Sequence, residues 1–172
     1  MAERTRNRSL TATRTLAGIT LLLIGGIHYQ QYHYAFYSAI PTIGPLFLLN
    51  FIGGTALGLF LLAPGKSRLG RLGNPLEQLT ALAGISLAVS GAAALVISEN
   101  TPLFGFMEHG YRFVIVLTLA SEAVAVVLLT LFLVLARSRA HGRGAAPTQN
   151  PSAGRPAREP INQRPGTPTA ER

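Results

Sequence analysis

Four runs of predominantly apolar residues, 15–34, 44–63, 76–97 and 112–136, are separated by short stretches where charge, proline and glycine collect. A bilayer core about 30 Å thick takes about 20 residues of helix to cross, and lipid offers no water to satisfy a backbone that is not bonded within its own segment. None of the four runs has a proline in its interior. The pattern predicts an all-α fold, a four-helix transmembrane bundle. Its parts are a basic head over 1–13, a transmembrane domain over 14–136 and a tail over 137–172. From His141 onward the tail is rich in Pro, Gly, Ala and Arg, with Ile161 its one aliphatic residue larger than alanine, so it is expected to be disordered.

Composition agrees with a membrane location. Hydrophobic residues make up 48% of the 172 and charged residues 13%, and the mean hydropathy is +0.34. The net charge of +8 does not point to nucleic acid, because the basic residues sit at segment ends and not along one face. With no cysteine, disulfides, zinc–thiolate sites, iron–sulfur clusters and thiol catalysis are excluded.

Basic residues are retained on the cytoplasmic side of a membrane, which gives the expected direction. Arg4, Arg6, Arg8 and Arg14 precede the first run, Lys66, Arg68 and Arg71 lie between the second and third, and Arg137, Arg139 and Arg143 follow the fourth. All fall on one side of a four-span chain, so both termini are expected in the cytoplasm and the protein in the cytoplasmic membrane. A cleaved signal peptide is the rival reading of the first run, but no small-x-small cleavage site follows it.

Small residues mark the middle runs: Gly54 and Gly58 in the second, Gly84, Ala88, Gly91 and Ala92 in the third. In lipid such residues let helices approach closely, either within one bundle or across the face of a homo-oligomer or a membrane-protein partner.

The first run ends in the aromatic cluster HYQQYHYAFY, residues 28–37. Tyr29, Tyr32, Tyr34, Tyr37 and His33 read as a belt at the headgroup layer, where a tyrosine ring is buried and its hydroxyl stays wet. His28 is deeper. At 1.5 Å per residue it stands about 20 Å from the cytoplasmic end of its run, and Asn50, Ser90 and Glu122 stand at about the same level in theirs. An ionisable side chain in lipid normally faces the bundle interior with a partner, which makes Glu122 the strongest member of this layer and His28 its expected partner. The layer is read either as a site for a proton or small polar ligand or as a structural hydrogen-bonded level.

On the outer side, Glu108 and Arg112 have the i, i+4 spacing of an ion pair at a helix start. His33, Glu108 and His109 are candidates for an outer-face ligand or metal site, with no diagnostic spacing among them. His28 and His33 are five apart, about 140° around a helix, so they do not chelate as an i, i+4 pair would. PTIG at Pro41 and PLFG at Pro102 repeat a P-x-x-G after spans of similar length, a thin sign of an internal repeat.

The segment IHYQQYHYAFYSAIPTIGPLFLLN, the later PLFGFMEHG and the span carrying Glu122 together resemble a family of small four-span membrane proteins of actinobacteria. Its pattern is a histidine near the end of the first span, then YxxIPxIGxLFLL and LFGFxE, and it covers about residues 15–136. The resemblance carries over His28, Tyr37, Pro41, Gly44, Glu108 and Glu122, and it implies a fold and a membrane location but no reaction. Ser38 stands where glycine or arginine is more usual.

The expected function is therefore a non-catalytic binding or permease-like membrane protein with a His28–Glu122 layer open to the outer face. The alternatives are an accessory subunit of a larger membrane complex and a metal- or haem-binding redox subunit. No hydrolase, metalloprotease or phosphate-loop motif is present, so an enzyme is not expected. Haem is disfavoured because His33, His109 and His141 do not share the depth of His28, and no cofactor is called for.

Overall fold

A computed structural model describes residues 2–64, 73–108, 110 and 112–144. It contains four helices, α1 (Ala2–Tyr34), α2 (Ile43–Leu62), α3 (Gly73–Asn100) and α4 (Phe113–Gly144). A 3-10 turn, Tyr37–Ala39, sits between α1 and α2. Each helix is long and apolar enough to cross a membrane, the arrangement of a polytopic membrane protein. The segment with Lys66, Arg68 and Arg71, residue His109 and the tail beyond 144 lie outside the described residues.

Two helices run further than the apolar pattern alone indicates. With 33 residues, α1 is about 50 Å long, well beyond a bilayer core, and the basic head forms its first turns. There Ser9, Thr11 and Thr13 donate their hydroxyls to the carbonyls of Thr5, Asn7 and Ser9, one turn back. At the other end α4 continues past Arg137 to Gly144, beyond the apolar run that ends at 136. Ala136, Arg137, Arg139 and Ala140 are good helix formers, and Gly142 and Gly144 are the first glycines beyond them.

The helices pack as a ring in chain order, α1 against α2 and α4, and α3 against α2 and α4. Close approach between α1 and α2 depends on glycine. A Cβ on Gly54 would lie 2.9 Å from Leu21 O, and one on Gly58 would lie 2.8 Å from Gly18 O, both rigid backbone atoms. The small-residue face of α3 is likewise taken up inside the chain, Gly84 against Leu129 and Leu21 and Gly91 against Glu122. The packing reading of these residues therefore holds for Gly54, Gly58, Gly84 and Gly91.

Leu21, Ile24, Leu61, Ala88, Leu129 and Phe132 form the centre of the core. Outward, Leu16, Ile19, Leu49, Ile52, Val127 and Val134 are all about half exposed or more. Apolar surface spread around all four helices is what lipid, not water, accommodates.

The two P-x-x-G segments adopt different conformations. In PTIG, Thr42 has a φ of 67° and Ile43 begins α2, with Pro45 in the first turn. In PLFG, Leu103 and Phe106 exchange backbone hydrogen bonds across Phe104 and Gly105, whose φ values are 52° and 80°. That is a tight reverse turn with two left-handed residues. The local geometry gives no support to an internal repeat.

Candidate functional site

Tyr37 follows Phe36, a left-handed residue with φ 61°, which turns the chain back over the end of the bundle. Gly44 fixes the depth of this turn, since a Cβ there would meet Tyr37 O at 2.9 Å. Tyr37 is thereby buried, at 7% exposure, and leaves the aromatic belt in which the sequence places it. Tyr29 and Tyr34 remain exposed, as the belt requires, with the rings of Tyr29 and His33 stacked at 5.8 Å.

The Tyr37 hydroxyl donates to Glu108 Oε2 and accepts from Arg112 Nη2 at 2.8 Å. Arg112 Nη2 also pairs with Glu108 Oε1 at 2.9 Å. The ion pair expected from spacing is therefore formed, although α4 starts at Phe113 and the pair lies in the loop before it. That loop is pinned to the end of α3 by Glu108 N donating to Ser98 O and Gly110 N donating to Glu99 Oε2. Burial, followed by the hydrogen bond to the Glu108 carboxylate and its charge, pushes the Tyr37 phenol up to about 12.

Beneath this triad a cavity of about 90 Å³ opens between all four helices. One wall is a ladder of rings: His28 against Phe47 at 5.3 Å, Phe47 stacked on Tyr37 at 4.8 Å, and Tyr37 edge-on to Phe106 at 5.6 Å. Polar side chains facing the space are His28, Gln31, Asn50, Ser98 and Thr118, with Glu108 and Arg112 at its edge. His28 is held by its Nδ1, 2.9 Å from Ile24 O. A carbonyl only accepts, so Nδ1 carries hydrogen and, in the neutral ring, Nε2 is the acceptor. Asn50 donates Nδ2 to Leu46 O at 3.1 Å, which leaves Oδ1 to the interior.

Glu122 lies one turn of α4 below Thr118 and is 1% exposed. Neither of its oxygens has a hydrogen-bond partner. The position a Cβ on Gly91 would occupy falls against Glu122 Oε1 and 3.9 Å from Asn50 Oδ1. Gly91 also lines the cavity, so the carboxyl sits directly behind the cavity floor and only a glycine stands between them.

The predicted layer is thus assembled in part. His28 and Asn50 face the cavity, and Glu122 lies behind its floor. The direct His28–Glu122 hydrogen bond does not form, because the histidine is tied to its own helix and the carboxyl has no partner. Ser90 shares their level but is exposed on the outside of α3, bonded to Leu87 O. Its neighbour Gly91 takes the inward position. His33 is exposed, and no group of three metal-ligating side chains occurs among the described residues.

Sequence reasoning did not find Ser98, Thr118 or the role of Tyr37 as a bridge. Tyr37 stands among the belt tyrosines in the sequence, and only its buried position separates it from them. Ser98 and Thr118 likewise resemble any small hydroxyl residue in an apolar helix. Comparison with protein-family models, with curated proteins and with solved structures finds no match to this chain.

Proposed function

We propose that this chain is a multi-pass protein of the cytoplasmic membrane, with both termini inside, that binds a small ligand without catalysis through a cavity open to the outer face. The observation that carries this is the position of the cavity. It lies at the end of the bundle formed by the α1–α2 and α3–α4 loops, opposite the arginines at the start of α1 and the end of α4. Positive residues are retained inside, which puts the cavity mouth outside. A concave, mainly apolar space with a few fixed polar groups has the form of a small-molecule site. Membership in the four-span family whose pattern the sequence carries belongs to the same reading and adds no reaction to it.

The absence of native cysteine makes a clean test. Ala94→Cys lines the cavity, Ser38→Cys lies on the adjoining loop, and Ala81→Cys is in the core. In intact cells a membrane-impermeant thiol reagent is expected to label the first two and spare the third. Failure to label Ala94→Cys while Ser38→Cys reacts would remove the outward-open cavity. Failure at both would reverse the orientation.

A further inference from the structure

The polar atoms around the inner cavity share one property. His28 Nδ1 is spent on Ile24 O, one N–H of Gln31 on Gln30 Oε1, one N–H of Asn50 on Leu46 O, the Ser98 hydroxyl on Leu95 O at 2.8 Å and the Thr118 hydroxyl on Val114 O at 2.8 Å. Each donor is turned back onto its own helix, as short polar side chains in apolar helices commonly do. What remains toward the cavity is mostly lone pairs, on His28 Nε2, Asn50 Oδ1 and two hydroxyl oxygens, beside one further N–H on each of the Asn50 and Gln31 amides. Behind the floor stands Glu122, fully buried, with two acceptor oxygens and no donor of any kind.

An acceptor-rich space with an unpaired carboxyl behind its floor calls for an occupant rich in donors and of positive charge. We infer that the cavity takes a small primary ammonium ion, its N–H groups directed at Asn50 Oδ1 and His28 Nε2, its charge facing the Glu122 carboxyl behind Gly91, and its short alkyl part against Phe47 and Tyr37. This rests on the reading of the cavity as a ligand site and names the ligand class.

Size, walls and charge all fit. A cavity of about 90 Å³ is smaller than the roughly 150 Å³ space that admits benzene, so it holds only a few heavy atoms. The ring ladder gives the alkyl part an apolar wall. Arg112 at the mouth is neutralised by Glu108 and does not oppose entry. A transition metal is the poorer match, because the described residues provide no cluster of three ligating side chains. An alkali ion would use the oxygens but not the apolar walls.

The test uses the full chain in lipid nanodiscs and thermal unfolding at constant ionic strength, titrated with ethylammonium chloride, sodium chloride or ethanol. Ethylammonium is expected to raise the unfolding temperature saturably, with at least tenfold lower half-saturation than sodium, while ethanol gives no saturable shift. Glu122→Gln, checked for helix content, is expected to weaken the ethylammonium response at least tenfold, and Ser90→Ala, on the outer surface, to leave it unchanged. Equal responses to ethylammonium and sodium, or to ethylammonium and ethanol, overturn the assignment on wild-type protein alone, whatever the variant does. An unchanged response in a folded Glu122→Gln protein overturns it as well. If Ala94→Cys is labelled from outside but ethylammonium gives no shift, the amine assignment falls while the ligand-site reading stands.

Discussion

Tyr37 and Glu108, 71 positions apart in the chain, are joined by a hydrogen bond from the phenol to the carboxylate, and Arg112 bridges both. This one relationship ties the α1–α2 connection to the α3–α4 connection at the edge of the cavity.

Removing only the hydroxyl isolates its contribution. Tyr37→Phe keeps the ring contacts with Phe47 and Phe106 and leaves the Arg112–Glu108 pair in place, but two hydrogen bonds to charged groups disappear. The expected loss of stability is about 1–3 kcal/mol, read from unfolding in detergent or bicelles. No measurable loss would mean that the loop ends are held by other contacts.

The same hydroxyl sets an alkaline limit. The folded value of about 12 lies above the ordinary 10.0, so the neutral phenol is favoured in the folded state. Its stabilisation is present in full below pH 10 and is lost as pH rises from there through about 12. A spectrophotometric titration should show a tyrosine step near pH 12, and that step should vanish in Tyr37→Phe.

Gly91 and Gly26 give a matched pair. A Cβ on Gly91 collides with the Glu122 carboxyl, whereas one on Gly26 meets nothing within 4 Å. Gly91→Ala is expected to destabilise by about 1–3 kcal/mol as the carboxyl is displaced. Gly26→Ala is expected to be neutral or to stabilise by up to about 1 kcal/mol through helix propensity. Parallel thermal melts of the two proteins decide it, and equal effects would contradict the close packing of Glu122 behind Gly91.

At the opposite end, Arg14 Nη1 pairs with Glu77 Oε1 at 3.0 Å, joining α1 to α3 across the ring, with both side chains largely shielded. Arg14→Ala is expected to cost about 1 kcal/mol, an amount limited by solvent reaching the pair. Salt should weaken the wild type toward the variant, which unfolding at low and high ionic strength would show.

The residues themselves make clear how far the sequence alone reaches. Bilayer thickness sets a length, and four apolar runs of that length determine four helices and their order. Spacing determines the Glu108–Arg112 pair, and rise per residue places His28, Asn50, Ser90 and Glu122 at one level. Depth follows from counting along an axis, which a sequence permits. Direction around the axis does not. These helices are apolar on every side because lipid tails are as apolar as a leucine core, so no polar stripe separates the inside from the outside. Only packing decided it: Gly84, Ala88 and Gly91 seat α3 against its neighbours, turn Ser90 outward and leave the Glu122 carboxyl beside Asn50 without a partner.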